Sequence, residues 1–98
     1  MEYIFIQRPG DREEIIERLK VFTKYAKAEL VSEYNSTVKT GIAGVHAQAL
    51  MIIALHNAFD IAFNKSPVKI VDYTVISLTG HIELVGENWE YSSNYNPA

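Results

Sequence analysis

Apolar residues crowd the start of the chain, Tyr3-Ile4-Phe5-Ile6, and Arg8-Pro9-Gly10 ends the run. Aromatic and β-branched residues closed off by Pro-Gly predict a strand over 2–7. Asp11-Arg12-Glu13-Glu14 then opens a helix in capping-box form, with the Asp11 carboxylate set to accept a backbone N–H and Glu14 to reach back. Ile15, Leu19, Phe22, Ala26 and Leu30 recur at spacings of three and four, an apolar stripe facing a core. Glu14 and Arg18 form an i,i+4 pair on the outer side. The preferred reading runs this helix to about residue 34. The alternative stops it near Lys27 and pairs 28–34 with 37–42 as a hairpin across Asn35-Ser36.

A second helix is predicted over 43–64, apolar on nearly every side. Ala47, Ala54, Ala58 and Ala62 fall near one stripe and would let another element approach closely, within the chain or at a subunit interface. Asn64-Lys65-Ser66-Pro67 ends the helix. Val68 to Leu78 reads as one strand, rich in β-branched residues and apolar on both faces. Thr79-Gly80 is a turn, 81–85 continues as strand, Gly86-Glu87-Asn88 turns again, and Trp89-Glu90-Tyr91 is a short edge strand.

These elements predict an α+β fold. It has one N-terminal strand and two long helices on one face of a small antiparallel sheet, completed by a C-terminal hairpin or meander. The alternative is a ferredoxin-like βαββαβ order with an extra strand. One globular domain covers 1–91, and 92–98 is a flexible polar tail. So apolar a helix in so short a chain predicts a homo-oligomer.

Composition narrows the function. The 98 residues carry nine Lys/Arg, twelve Asp/Glu and no Cys, for a net charge of −3. Without Cys there is no disulfide framework, no Cys-ligated zinc and no thiol nucleophile, and the cytosol is the expected compartment. The acidic balance excludes a sequence-independent nucleic-acid binder, and the Lys20, Lys24, Lys27 stripe reads as a solvated face. The start of the chain has no signal-peptide pattern. His46, Gln48, His56, Asn57 and Asp60 interrupt the most apolar stretch and argue against a membrane span.

Three clusters are candidate sites. Lys39-Thr40-Gly41-Ile42-Ala43-Gly44 leads into a helix start, where free N–H groups suit an anion. Lys39, Thr40, Gly41, Gly44 and His46 are its expected ligand contacts, although the segment matches neither a P-loop nor a dinucleotide fingerprint. His56 and Asp60 share a helical face, so Asp60 could orient His56 as a base, with His81 and Glu83 as possible additions. Trp89, Tyr91 and Tyr95 suit a contact surface, or simply cover the core edge. No metal site or cofactor is expected.

Two short motifs resemble the C-terminal regulatory domain of 2-isopropylmalate synthases: Gly44-Val45-His46-Ala47 before a helix, then Val71-Asp72-Tyr73-Thr74-Val75 with Leu78-Thr79-Gly80. The Pro and Asp of that family's helix start are absent and the motifs lie further apart, so no family is assigned. The function expected from the residues is a small, self-associating, non-enzymatic binding or regulatory module for a small anion or a protein partner. The alternative is an acid–base enzyme built on His56 and Asp60 between subunits.

Overall fold

The computed structural model describes residues 2–41, 46–72 and 75–92. The elements run β1 (Glu2–Ile4), α1 (Asp11–Phe22), α2 (Lys27–Thr40), α3 (His46–Phe63), β2 (Lys69–Val71), β3 (Val75–Ser77), β4 (Ile82–Val85) and β5 (Asn88–Tyr91). The class is α+β, with the strand, helix and antiparallel-strand order that the patterning predicts.

Arg8-Pro9-Gly10-Asp11 is a turn closed from both ends. The Asp11 N–H donates to the Arg8 carbonyl at 3.1 Å, and the Arg8 N–H donates to Asp11 Oδ2 at 2.6 Å. Pro9 precedes Gly10 at φ 88°, ψ −12°, a type II pattern that needs a residue free of Cβ strain at its third position. Asp11 is therefore not the expected helix cap. Its carboxylate points back into the turn, and the capping residue is Gly10.

The expected long first helix is two helices. After Phe22 the hydrogen bonds tighten to i→i+3, Thr23 Oγ1 bonds the Lys20 carbonyl, and Ala26 is extended at φ −70°, ψ 160°. Glu29 Oε1 accepts the Ala26 N–H at 2.8 Å and opens α2. The hairpin alternative for 28–42 fails because 27–40 is helical. Asn35 is no turn residue: its amide donates to the Ile82 carbonyl and accepts the Ile82 N–H, both at 2.8 Å, tying α2 to β4.

The strand expected over 68–78 folds back on itself. Asp72 adopts φ 51°, a left-handed conformation that Asp tolerates better than β-branched residues, and Val71 pairs with Val75 across the reversal. The result is an antiparallel sheet of order β1-β3-β2. Rows Glu2–Ser77–Lys69, Tyr3–Ile76–Ile70 and Ile4–Val75–Val71 cross it. The middle row faces the core, where Ile76 is fully buried. The hairpin β4–β5 forms a separate two-stranded sheet, and α1 passes to α2 with no strand between, so the order is not ferredoxin-like.

Helix α3 is the spine. Its Ala49, Ile52, Ala54, Leu55 and Phe59 have no exposed surface. Helices α1 and α2 both pack on it, and α2 also packs on β4. Ala54 and Ala58 are consumed inside the chain. Trp89 is buried, donates its indole N–H to the Lys65 carbonyl at 3.0 Å, and carries the Lys65 ammonium over its ring. The Ser92 N–H bonds the His81 carbonyl, closing the hairpin. Among the described residues no helix is long and apolar enough to cross a membrane.

Candidate functional site

The three described residues of the expected anion loop, Lys39, Thr40 and Gly41, sit at the end of a helix, not at the start of one. Lys39 and Thr40 form the last turn of α2, and Gly41 caps it at φ 78°. The Thr40 hydroxyl donates to the Ser36 carbonyl, the Gly41 N–H to the Thr37 carbonyl, and the Gly41 carbonyl accepts from Gln48 Nε2. These donors are engaged, and a helix C-terminus carries the negative end of the dipole. Gly44 and the rest of 42–45 lie outside the described residues. His46 opens α3, but its Nε2 stands 2.8 Å from Asp11 Oδ2 and its ring stacks on Phe5, with centroids 5.2 Å apart.

Asp11 is nearly buried, and two opposing effects act on it. Burial raises its pKa, but the Arg8 N–H, the His46 hydrogen bond and the charges of His46 and Arg8 together hold it below the ordinary value of 3.8. The carboxylate is thus the ionised hub that joins the turn before α1 to the first turn of α3.

His56 and Asp60 do come together on α3, with Nε2 3.3 Å from Oδ2. His56 Nδ1 is 3.0 Å from the Val68 carbonyl, so both ring nitrogens face acceptors. The Val68 carbonyl and the Asp60 carboxylate each engage one nitrogen of the ring. His81 and Glu83 belong to the β4 hairpin, which packs on α2. No group of three or more potential metal ligands exists among the described residues. Trp89 is a core residue, Tyr91 is exposed and accepts a hydrogen bond from Thr79 Oγ1 at 2.8 Å, and Tyr95 lies outside the described residues. Of the lysine stripe, Lys20 pairs with Glu17 and Lys27 with Glu87.

A concave site lies elsewhere, between the end of β1, helix α1, helix α3 and β2. Phe5, Ile15, Ile16, Ile53 and Ile70 form an apolar hollow of about 430 Å³. Gln7, Arg12 and Asn57 supply its polar lining. A second hollow of about 540 Å³ shares Ile53, Asn57 and Ile70 and extends to His56 and Asp72. The two hollows adjoin at these shared residues, with Arg12 lining one and His56 and Asp72 lining the other. Arg12 makes no ion pair with any described residue. Sequence reasoning found His56 through the helical face it shares with Asp60, and named Asn57 only as a polar interruption of the apolar stretch, but missed Arg12. Its position in a charged Asp-Arg-Glu-Glu run marks it as solvated surface, and only the return of α3 and β2 places an apolar floor beside it.

No family model, no curated protein and no solved structure matches this chain. The likeness to the 2-isopropylmalate synthase regulatory domain stays one of short motifs. Its Val71–Val75 segment, expected within a single strand, here spans a chain reversal.

Proposed function

We propose that this protein is a non-enzymatic binding module for a small amphipathic anion. The apolar body of the ligand lies along Ile15, Ile53 and Ile70, and its carboxylate or phosphate meets Arg12. The observation that carries this reading is the apolar hollow lined by a guanidinium that has no carboxylate partner among the described residues. Its volume falls in the range of small-molecule sites, roughly 300–1,000 Å³, and such sites combine an apolar lining with a few polar groups that orient the ligand. Gln7 and Asn57 offer both donors and acceptors beside Arg12.

The acid–base alternative, with His56 as base and Asp60 as its orienting group, finds less support. A base needs a nitrogen free to take a proton from substrate. Here one nitrogen faces a backbone carbonyl and the other a carboxylate. That arrangement suits a side chain that ties α3 to the start of β2.

Sodium octanoate is the probe for the binding reading. It has about ten non-hydrogen atoms, and at about −0.4 kcal/mol each its Kd is about 1 mM. Titration followed by methyl carbon–proton NMR is expected to move the Ile15, Ile53 and Ile70 signals together and to saturate near that concentration. No shifts, or shifts scattered over Ile4, Ile6 and Ile61, would contradict the groove as the site.

A further inference from the structure

The geometry points to a second copy of this chain as the occupant of the outer face of the β1-β3-β2 sheet. Period-two alternation puts Tyr3, Ile76 and Ile70 toward the core and leaves Ile4, Val75 and Val71 in one row on the opposite face. Ile4 is 71% exposed and Val71 54%. Beside this apolar row runs Glu2–Ser77–Lys69, with an acid at one edge of the sheet and a base at the other. Neither Glu2 nor Lys69 makes an ion pair with a described residue. Two strand spacings, about 10 Å, separate their backbones, so they are poorly placed to neutralise each other within one chain.

A two-fold axis along the strands, between two such faces, solves this arrangement. It lays β1 of one copy over β2 of the other and β3 over β3. Glu2 of each copy then meets Lys69 of the other, twice by symmetry, while Ile4 covers Val71 and Val75 covers Val75. Aligned face-to-face packing of sheets about 10 Å apart is the ordinary geometry for such a pair. A two-fold axis across the strands would instead stack β1 on β1 and leave the charges unmatched. The face is about 10 Å long and 14 Å wide at standard strand dimensions. That is below the about 1,200 Å² of a standard interface, so the dimer is weak and concentration-dependent. The groove at Arg12 opens on the other side of the sheet, so this proposal does not rest on the ligand reading.

Sedimentation equilibrium of the whole chain, up to about millimolar protein, tests the pairing. Wild type is expected to dimerise reversibly. Glu2→Lys and Lys69→Glu, each placing like charges together twice, are each expected to weaken association about fivefold or more. The double variant Glu2→Lys/Lys69→Glu is expected to return to within about twofold of wild type, because the charges are exchanged but still complementary. Both positions are exposed and make no ion pair with a described residue, so the variants are expected to keep the wild-type circular dichroism spectrum. A protein that stays monomeric throughout, single variants that associate like wild type, or a double variant no better than the singles would each overturn the proposal.

Discussion

Asn35 stands in the middle of α2, where asparagine is a poor helix former, and the structure supplies the reason for its presence. Its amide imitates a neighbouring strand, giving and taking one hydrogen bond each with Ile82. Asn35→Ala leaves a backbone N–H and C=O without partners at the packed end of β4. The expected loss is about 2–4 kcal/mol in urea unfolding. Asn35→Asp, which sets a carboxylate oxygen against the Ile82 carbonyl in place of the donor, is expected to cost at least as much at neutral pH. Equal stability of Asn35→Ala and wild type would show that water replaces both bonds.

Asp11 sets a pH dependence at the same scale. Its folded pKa lies below the ordinary 3.8, so the native state favours the carboxylate. The stabilisation is complete above that ordinary value and is lost as pH falls through the lower, folded value. Asp11→Asn is expected to reduce stability at neutral pH and to flatten the acid limb below about pH 4 relative to wild type. Thermal melts from pH 2 to 7 read this. Parallel acid limbs in the two proteins would remove Asp11 from the account. Neither side chain's role was legible locally. Asp11 meets a histidine 35 residues away and Asn35 a strand 47 residues away, and periodicity carries no information at that range.

At the scale of elements, the long apolar α3, the Pro-Gly stop after β1 and the β4–β5 hairpin were legible because each has a pattern or a turn residue of its own. The α1–α2 break was not. Thr23-Lys24-Tyr25-Ala26 holds no Gly or Pro, and the apolar stripe continues across it. Across the break Tyr25 packs edge-on against Phe22, and beyond it α2 packs on β4, a tertiary contact that the local pattern does not carry. The reversal at Asp72 was missed for a similar reason, since β-branched residues on both sides hid one turn-tolerant residue. His56 and Asp60 were found together because helical spacing alone decides their distance. The turn before α1 gives an element-scale prediction. A Cβ built on Gly10 meets nothing within 4 Å, so only its φ of +88° opposes a side chain. Gly10→Ala is expected to cost about 1–2 kcal/mol, read from the midpoint of denaturant unfolding. A loss well under that would mean the turn relaxes to another type.

Over the described residues, two surfaces stand out after the core is built. A radius of gyration of 12.9 Å fits one folded unit of this length, about 13 Å. Its buried side chains form one cluster around α3, into which the helices, the three-stranded sheet and Trp89 all pack. The outer sheet face keeps its apolar row, and the groove keeps its apolar floor beside Arg12. Thr40, Gly41 and His46 of the expected anion loop, like His56 and Asp60, make their described polar contacts within the fold. Arg12 makes no ion pair with a described residue, and for that reason the binding reading rests on it.

The most direct measurement is the ratio of octanoate to 1-octanol affinity in wild type and in Arg12→Ala, both followed by methyl NMR. The two probes share an apolar chain and differ in the charge at the head. Arg12→Ala is expected to weaken octanoate about fivefold, the modest figure appropriate to an exposed guanidinium, and to leave 1-octanol within about twofold. Equal losses for both probes, or none for either, would contradict Arg12 as the anion contact and the groove as an anion-binding site.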